Sequence, residues 1–443
     1  MKRSSLFGHI VELYDAASTG KRPADAIVKE FFRSRHYLGS KDRRFISELL
    51  FDLFRHYRLI QTYADGCMRL ISMEKYIGRV PSIVLVATYC AKIQNDNVDE
   101  LLGDMEGLWN VLVPDIPCEK FLRTATSIAL PQSIEDDSIT SVSVRYSFPD
   151  SIVKEWVGCY GEDETRLLCA ALNSQAPITV RVNTLATTVD ECQAALKNEG
   201  VDAVRTGISR VGLIFPKRMN VPALQSFRHG YFEMQDEGSQ LISMLMQPAP
   251  GSTVADACAG GGGKTLHLAA MMMNRGRIFA IEVEEYRLKN IHERLRRAGI
   301  SIVQTSLAET VDGVIAAGEA DGVLVDAPCS GVGAFRRNPA SKSQFTVAAV
   351  EGLAKKQAEL LDRYSLLLKP GGRLVYSTCT LIRRENEEQV DAFLKRHPDF
   401  ELLSASEILS QQGVNLKTDP PYLTLFPHKT TTDGFFAAVM VRR

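Results

Sequence analysis

Apolar residues recur at three- and four-residue steps through the first 135 positions. Between Lys41 and Ile60, the side chains Phe45, Ile46, Leu49, Leu50, Leu53, Phe54 and Tyr57 fall on one face. Arg44, Glu48, Asp52, Arg55 and Arg58 are left outside, which predicts an amphipathic helix. The same period in IVELYDAA, ADAIVKEFFRS and PSIVLVATYCAKI extends this to an all-α bundle over residues 1–135. The polar, acidic, Ser-rich stretch Pro131–Asp150 reads as a break, and a linker is expected at 136–150. From 151 to 230 the pattern is mixed: a helix through Glu164–Leu172, the strand-like ITVRVNT, a helix around Glu191–Lys197, then short strands. That predicts a small α+β subdomain. After about 231 the apolar runs STVADA, RIFAIE, SIVQTS, GVLVDAP and GRLVYSTCT alternate with helical periods at 284–298, 346–368 and 385–396. Such alternation predicts an α/β fold with a doubly wound, mostly parallel sheet over 231–443, whose ligands bind at the carboxyl ends of the strands.

Composition changes this picture little. At 443 residues the chain has room for about three domains of roughly 150 residues, and 45% hydrophobic with 24% charged residues is the balance of globular cores. There is no apolar run of membrane-spanning length, and MKRSSLFGHIVELYDAASTGKR lacks the apolar stretch of a secretion signal, so a cytoplasmic location is expected. The net charge of −1 hides asymmetry: residues 1–60 carry 12 Lys/Arg against 7 Asp/Glu, and residues 91–120 carry 2 against 7. A basic face suffices for phosphate binding, so RNA stays open as a partner. The nine cysteines are scattered, with no C-x-x-C pair, which argues against both a disulfide framework and a metal site.

Candidate chemistry gathers at the strand ends. Asp256-Ala-Cys258-Ala259-Gly260-Gly261-Gly262-Gly263-Lys264-Thr265 closes one strand and opens a helix. Four consecutive glycines lose much freedom on ordering, which points to backbone lying close to a ligand, with the free N–H groups of a helix start behind it. A phosphate-binding P-loop would need Gly at Cys258, and a dinucleotide fingerprint would need Gly at Thr265, so both fail on spacing. Glu282 ends the next strand, where nucleoside-binding folds keep a carboxylate for ribose, and Arg287 follows as a supporting candidate. Cys329, in DAPCSG after Asp326, and Cys379, in YSTCT, sit at two further strand ends. A lone strand-end cysteine is ordinarily a small buried hydrophobe. Two together in polar company point instead to thiolate chemistry, which needs a nearby cation; Lys264, Arg383 and Arg384 are the candidates. The pairs Arg336-Arg337, Lys355-Lys356 and Arg383-Arg384 could form a phosphate-tracking rim.

DACAGGGGKT, DAPCSG, YSTCT and the closing DGFFAAVMVR resemble, in order and spacing, the motif series of the RsmB/Sun family of RNA cytosine methyltransferases. Val180–Leu185 (VRVNTL) and Gln235–Gln240 (QDEGSQ) are similar to that family as well. The N-terminal LGSKDRRFISELL and FRHYRLI resemble the NusB-like RNA-binding domain of its bacterial branch. The resemblance implies a Rossmann-like class I methyltransferase domain with S-adenosylmethionine as cofactor. It implies Cys379 as the nucleophile that adds to carbon 6 of cytosine, Asp326 as a hydrogen-bonding partner of the ring, and Cys329 as the residue linked to proton removal and product release. Cys258, Ala259, Gly260, Gly261, Gly262, Gly263, Lys264, Glu282, Arg287 and Asp326 match cofactor-binding positions. Two departures stand out: the family's Ala-Pro before the last two glycines is here Gly260-Gly261, and its Asp after the third strand is here Ser306 or a neighbour. The expected activity is 5-methylcytosine formation in 16S ribosomal RNA by a monomer that binds neither DNA nor membrane. The same chemistry on tRNA and a non-catalytic assembly factor are the alternatives.

Overall fold

A computed structural model describes residues 1–19, 22–416, 418 and 420–443, with all their side chains except those of 311 and 312. The chain divides into two compact units: Met1–Ser174 with Phe335–Phe345, and Gln175–Ala334 with Thr346–Arg443.

The first unit is helical. Its elements are α1 (Arg3–Ser18), α2 (Ala24–Ser34), α3 (Ser40–Arg55), α4 (Tyr57–Leu70), α5 (Ser82–Thr88), α6 (Val98–Leu112), α7 (Cys118–Ser127), α8 (Gln132–Glu135), α9 (Ser138–Tyr146), α10 (Asp150–Tyr160) and α11 (Glu162–Asn173). The three- and four-residue periods converge on one core that includes Phe7, Ile10, Leu50, Trp109 and Phe121. Three expectations change here. The Lys41–Ile60 stretch is two helices meeting at His56. Arg55, expected outside, is 7% exposed and ion-pairs with Asp52. The stretch expected as a linker forms α9, whose Val142 and Val144 are buried, so the unit runs on to Ser174. Serine and acidic residues signalled a loop, but Asp137 is the N-cap of α9, its carboxylate accepting the Thr140 N–H at 3.0 Å.

The second unit holds two sheets. The smaller combines β1 (Ile178–Val182), α12 (Val189–Asn198), β2 (Val204–Arg205), β3 (Gly212–Phe215), α13 (Gln225–Arg228) and β4 (Phe232–Met234), antiparallel in the order β2-β3-β1-β4. After α14 (Glu237–Met246) come β5 (Thr253–Asp256), α15 (Gly263–Met271), β6 (Arg277–Glu282), α16 (Glu285–Ala298), β7 (Val303–Leu307) and β8 (Ala320–Asp326). The chain then gives α17 (Ser341–Gln344) to the helical unit and returns as α18 (Val347–Ser365) and β9 (Leu368–Thr378). It closes with α19 (Glu387–Arg396), β10 (Phe400–Leu403), α20 (Ala405–Ser410), β11 (Leu423–Leu425), α21 (Pro427–Thr430) and β12 (Phe435–Arg442). The sheet order is β10-β12-β9-β8-β5-β6-β7, with β11 on β12. β5 to β9 are parallel, and β10 and β12 pair antiparallel. This is a Rossmann-like methyltransferase fold. Apolar runs such as Val323–Val325 and Leu374–Tyr376 are fully buried because helices cover both faces. The winding reverses between β5 and β8, placing Asp256 and Asp326 at the switch point where such sheets bind ligands.

Candidate functional site

Three strand ends meet at this point. In the β8–β9 ladder Asp326 lies opposite Ser377, which brings the loops after both strands together. Cys329 Sγ and Cys379 Sγ come within 3.4 Å, and the Cys379 N–H donates to Cys329 Sγ at 3.3 Å. Both side chains are half-buried. The hydrogen bond to Cys379 and then burial hold the Cys329 thiol well above the ordinary thiol range. Lys264, the second residue of α15, donates to Asp326 Oδ2 at 2.6 Å, while Ser377 donates to Asp326 Oδ1 at 2.8 Å. Burial works against the Lys264 ammonium, but the charges of Asp326, Asp256 and Cys379 outweigh it and keep the group protonated. Of the three cations expected beside the cysteines, Lys264 lies in the field of Cys379, and Arg384 ion-pairs with Glu351 at 3.1 Å.

The glycine run forms the turn from β5 into α15. Gly260 (φ +55°) and Gly262 (φ +79°) are in the left-handed region, where a side chain is strained. A Cβ on Gly262 would also meet Ile291 at 3.0 Å. Asp256, 1% exposed, accepts from the Thr265 hydroxyl at 2.7 Å, and its Oδ1 has no partner. Burial pushes its carboxyl up to about 7, with Thr265 opposing and Asp326 adding to the shift. Glu282 accepts the N–H of Gly260 at 2.8 Å on one oxygen and those of Val283 and Glu284 at 2.8 and 3.2 Å on the other. Arg287 stands 3.5 Å from it. A carboxylate has about four lone-pair sites, so an incoming hydroxyl need displace only that long contact. Ser306 lies on the next strand opposite Ile281, its hydroxyl directed to the Leu307 carbonyl at 3.1 Å. Burial and the carboxylates of Asp326 and Asp256 raise the Cys258 thiol, which makes it a neutral packing group. A bare backbone cradle, an unpartnered buried carboxylate oxygen and Glu282 suit a nucleoside ligand carrying a positive charge.

Of the basic pairs expected as a rim, one member is buried. Arg336 is 5% exposed and is no surface cation, while Lys356 is exposed and pairs with Glu359 at 3.3 Å. Glu385 escaped notice in the sequence. It is fully buried, accepting the Ser330 N–H at 2.8 Å and the Gln357 amide at 3.0 Å, which fixes the loop that carries Cys329. Its only signal was its place just after Arg383-Arg384, where charge drew attention to the arginines. At the loop's other end Gly333 and Gly434 touch: the Gly434 N–H donates to Gly333 O at 2.8 Å, and a Cβ on Gly333 would fall 2.2 Å from Gly434 O. DG in the closing motif is thus a close-approach site. No cluster of metal-ligating side chains occurs among the described residues. Nor, among them, is any helix long and apolar enough to cross a membrane.

Comparison with known proteins agrees with this geometry. A profile described as 16S rRNA methyltransferase RsmB/F matches residues 243–441, and one for the ferredoxin-like domain of RsmF/B-like methyltransferases matches 148–222. The probable ribosomal RNA small subunit methyltransferase B of Synechocystis sp. is 30% identical over 423 residues, covering 91% of this chain and 92% of the relative. Its counterpart in Bacillus subtilis is 33% identical over 314 residues, covering 70% and 69%. The crystal structure of PH0851 superposes with a TM-score of 0.78 at 26% identity, covering 100% of this chain and 99% of the other.

Proposed function

Because the chain belongs to the RsmB/F family of 16S rRNA methyltransferases, we propose that it forms 5-methylcytosine in 16S rRNA from S-adenosylmethionine, with Cys379 as the nucleophile. The observation that carries this reading is the pair of sulfurs 3.4 Å apart beside the Lys264–Asp326 ion pair. S-adenosylmethionine, when bound, would supply a methyl group on a positively charged sulfur; Gly260–Gly263 and Glu282 line the cradle that would hold it.

Carbon 5 of cytosine is a poor nucleophile, and the protein's task is to make it a good one. The Lys264 ammonium, kept protonated by its carboxylate neighbours, lies in the field of Cys379 and would offset negative charge on the attacking sulfur. Attack on carbon 6 forms the C–S bond and moves the ring's electron pair to carbon 5. Asp326, held by Lys264 and Ser377, would hold on ring nitrogen 3 the proton given up by the Cys379 thiol, so that the nitrogen stays neutral as the electron pair arrives. After methyl transfer the carbon 5 proton must leave and the C–S bond must break. Cys329 is held as a thiol chiefly by its hydrogen bond to Cys379. Once the Cys379 sulfur is bonded to carbon it carries no charge, and Cys329 can release its own proton to solvent and, as thiolate, take the carbon 5 proton; the C–H pair restores the carbon 5–carbon 6 double bond and Cys379 departs as thiolate. A stacked base is out of reach of these sulfurs, so an unpaired or extruded cytosine is the substrate.

The test is labelled methyl transfer to protein-free 16S rRNA and to bulk tRNA, with bisulfite mapping of the product. One labelled cytosine in 16S rRNA is expected. Label in tRNA instead would retain the chemistry and overturn the substrate.

A further inference from the structure

An all-glycine loop has no side chains with which to fix itself, so its order depends on what grips its backbone. Gly260 N–H is held by Glu282, and Gly262 N–H by Ala259 O at 2.8 Å. The Gly261 carbonyl is gripped from outside, by Nη1 of Arg294 on α16. Arg294 is itself aimed by Glu233 of β4, whose Oε2 takes its Nε at 3.1 Å and its Nη2 at 3.0 Å. Glu233 is 3% exposed, and its other oxygen pairs with Arg297, whose guanidinium lies 4.1 Å over the Phe227 ring. Opposite Glu233 in the β1–β4 ladder is Arg181, 1% exposed, donating to Gln235 at 2.6 Å. The Gln235 amide stands 3.8 Å from where a Gly263 side chain would begin. Arg294, aimed by the small sheet, and Gln235, just after β4, thus reach the loop at two of its four glycines.

We propose that Glu233 and Arg294 are positioning residues for the methyl-donor site: the carboxylate fixes the guanidinium, the guanidinium fixes the Gly261 carbonyl, and the ferredoxin-like sheet thereby sets donor affinity. This rests on the reading that the glycine loop holds S-adenosylmethionine. The physical basis is that glycine loses more freedom on ordering than any other residue, and that a charge-assisted hydrogen bond from a pre-aimed fork restores order at little further entropic cost.

The experiment is calorimetric titration of the full chain with S-adenosylmethionine, alongside thermal melting without ligand. Arg294→Met is expected to weaken binding about ten-fold, the loss of one charge-assisted hydrogen bond. Glu233 keeps Arg297 in that variant, but if it fails to fold, Arg294→Lys stands in. Lysine retains the charge against Glu233 and lacks the fork to grip carboxylate and carbonyl together, so melting should hold while affinity falls. Gly261→Ala in the Arg294→Met background, where the guanidinium 3.2 Å from the new Cβ is gone, should recover several-fold of the loss by stiffening the loop directly. Wild-type affinity in both Arg294 variants, or a loss that Gly261→Ala does not relieve, would overturn the proposal alone. Absence of binding by the wild-type chain would overturn the donor site itself and this inference with it.

Discussion

At the scale of single residues, the two cysteines have separable fates. Cys379→Ala is expected to abolish turnover, whereas Cys329→Ala should stall at the covalent stage and accumulate an RNA adduct that survives denaturing gel electrophoresis. An adduct that instead required Cys329 would reverse the assignment. Lys264→Met removes the ammonium that holds Asp326 and should lower the rate of labelled methyl transfer at saturating substrate by about ten-fold or more, measured at one pH. In the helical unit, burial first and then the charges of Lys342 and Arg55 press the His56 imidazole down to about 4. An unfolded histidine takes up its proton near 6.5, so stability is full above that value and falls as pH drops from about 6.5 towards 4. Calorimetric melting of His56→Gln should show that acid-side loss reduced. Cys379, Cys329, Asp326 and Lys264, which the fold brings together, each lie in a short run with unusual neighbours and so could be singled out in the sequence. Glu385, Ser377 and Arg294 were not, because their roles come from partners tens of residues away that only the folded chain supplies.

At the scale of elements, alternation and helical period located the parallel strands β5 to β9 and the helices α15, α16, α18 and α19, whose apolar runs are mostly buried, but not the antiparallel β10, β11 and β12 or the helices α14, α20 and α21. The reading failed where a local signal opposed a tertiary one: Ser and Asp residues around 136–150 looked like a loop but cap and build α9. It also missed α17, a single turn whose importance lies in one side chain. Lys342 is fully buried, its ammonium donating to Arg55 O at 3.1 Å, to Tyr146 O at 3.2 Å and to Asn173, and lying 4.0 Å over the Phe148 ring. No carboxylate is among those contacts, and burial holds its pKa well below the ordinary lysine range. Lys342→Met keeps the length but strands three acceptors, and should lower the stability of the helical unit by about 1–3 kcal/mol in chemical denaturation.

At the scale of the whole molecule, the donor cradle and both cysteines belong to one unit, while the NusB-like sequence belongs to the other. Saturating S-adenosylmethionine, at about one hundred times its dissociation constant, should stabilise the unit that holds the cradle by about 2.7 kcal/mol. In a calorimetric scan the transition of that unit should therefore move while the helical unit's own transition stays near its place. One feature of the connectivity bears on how the protein can be taken apart. The backbone passes from one unit to the other at Ser174, again at Ala334 and back at Phe345, so it is stitched rather than strung. A protease that nicks the chain near residue 174 cuts one thread of three and should leave the fragments co-migrating on a sizing column. A gene truncated at the same place would produce a catalytic half trailing Phe335 and Lys342 with nothing to receive them.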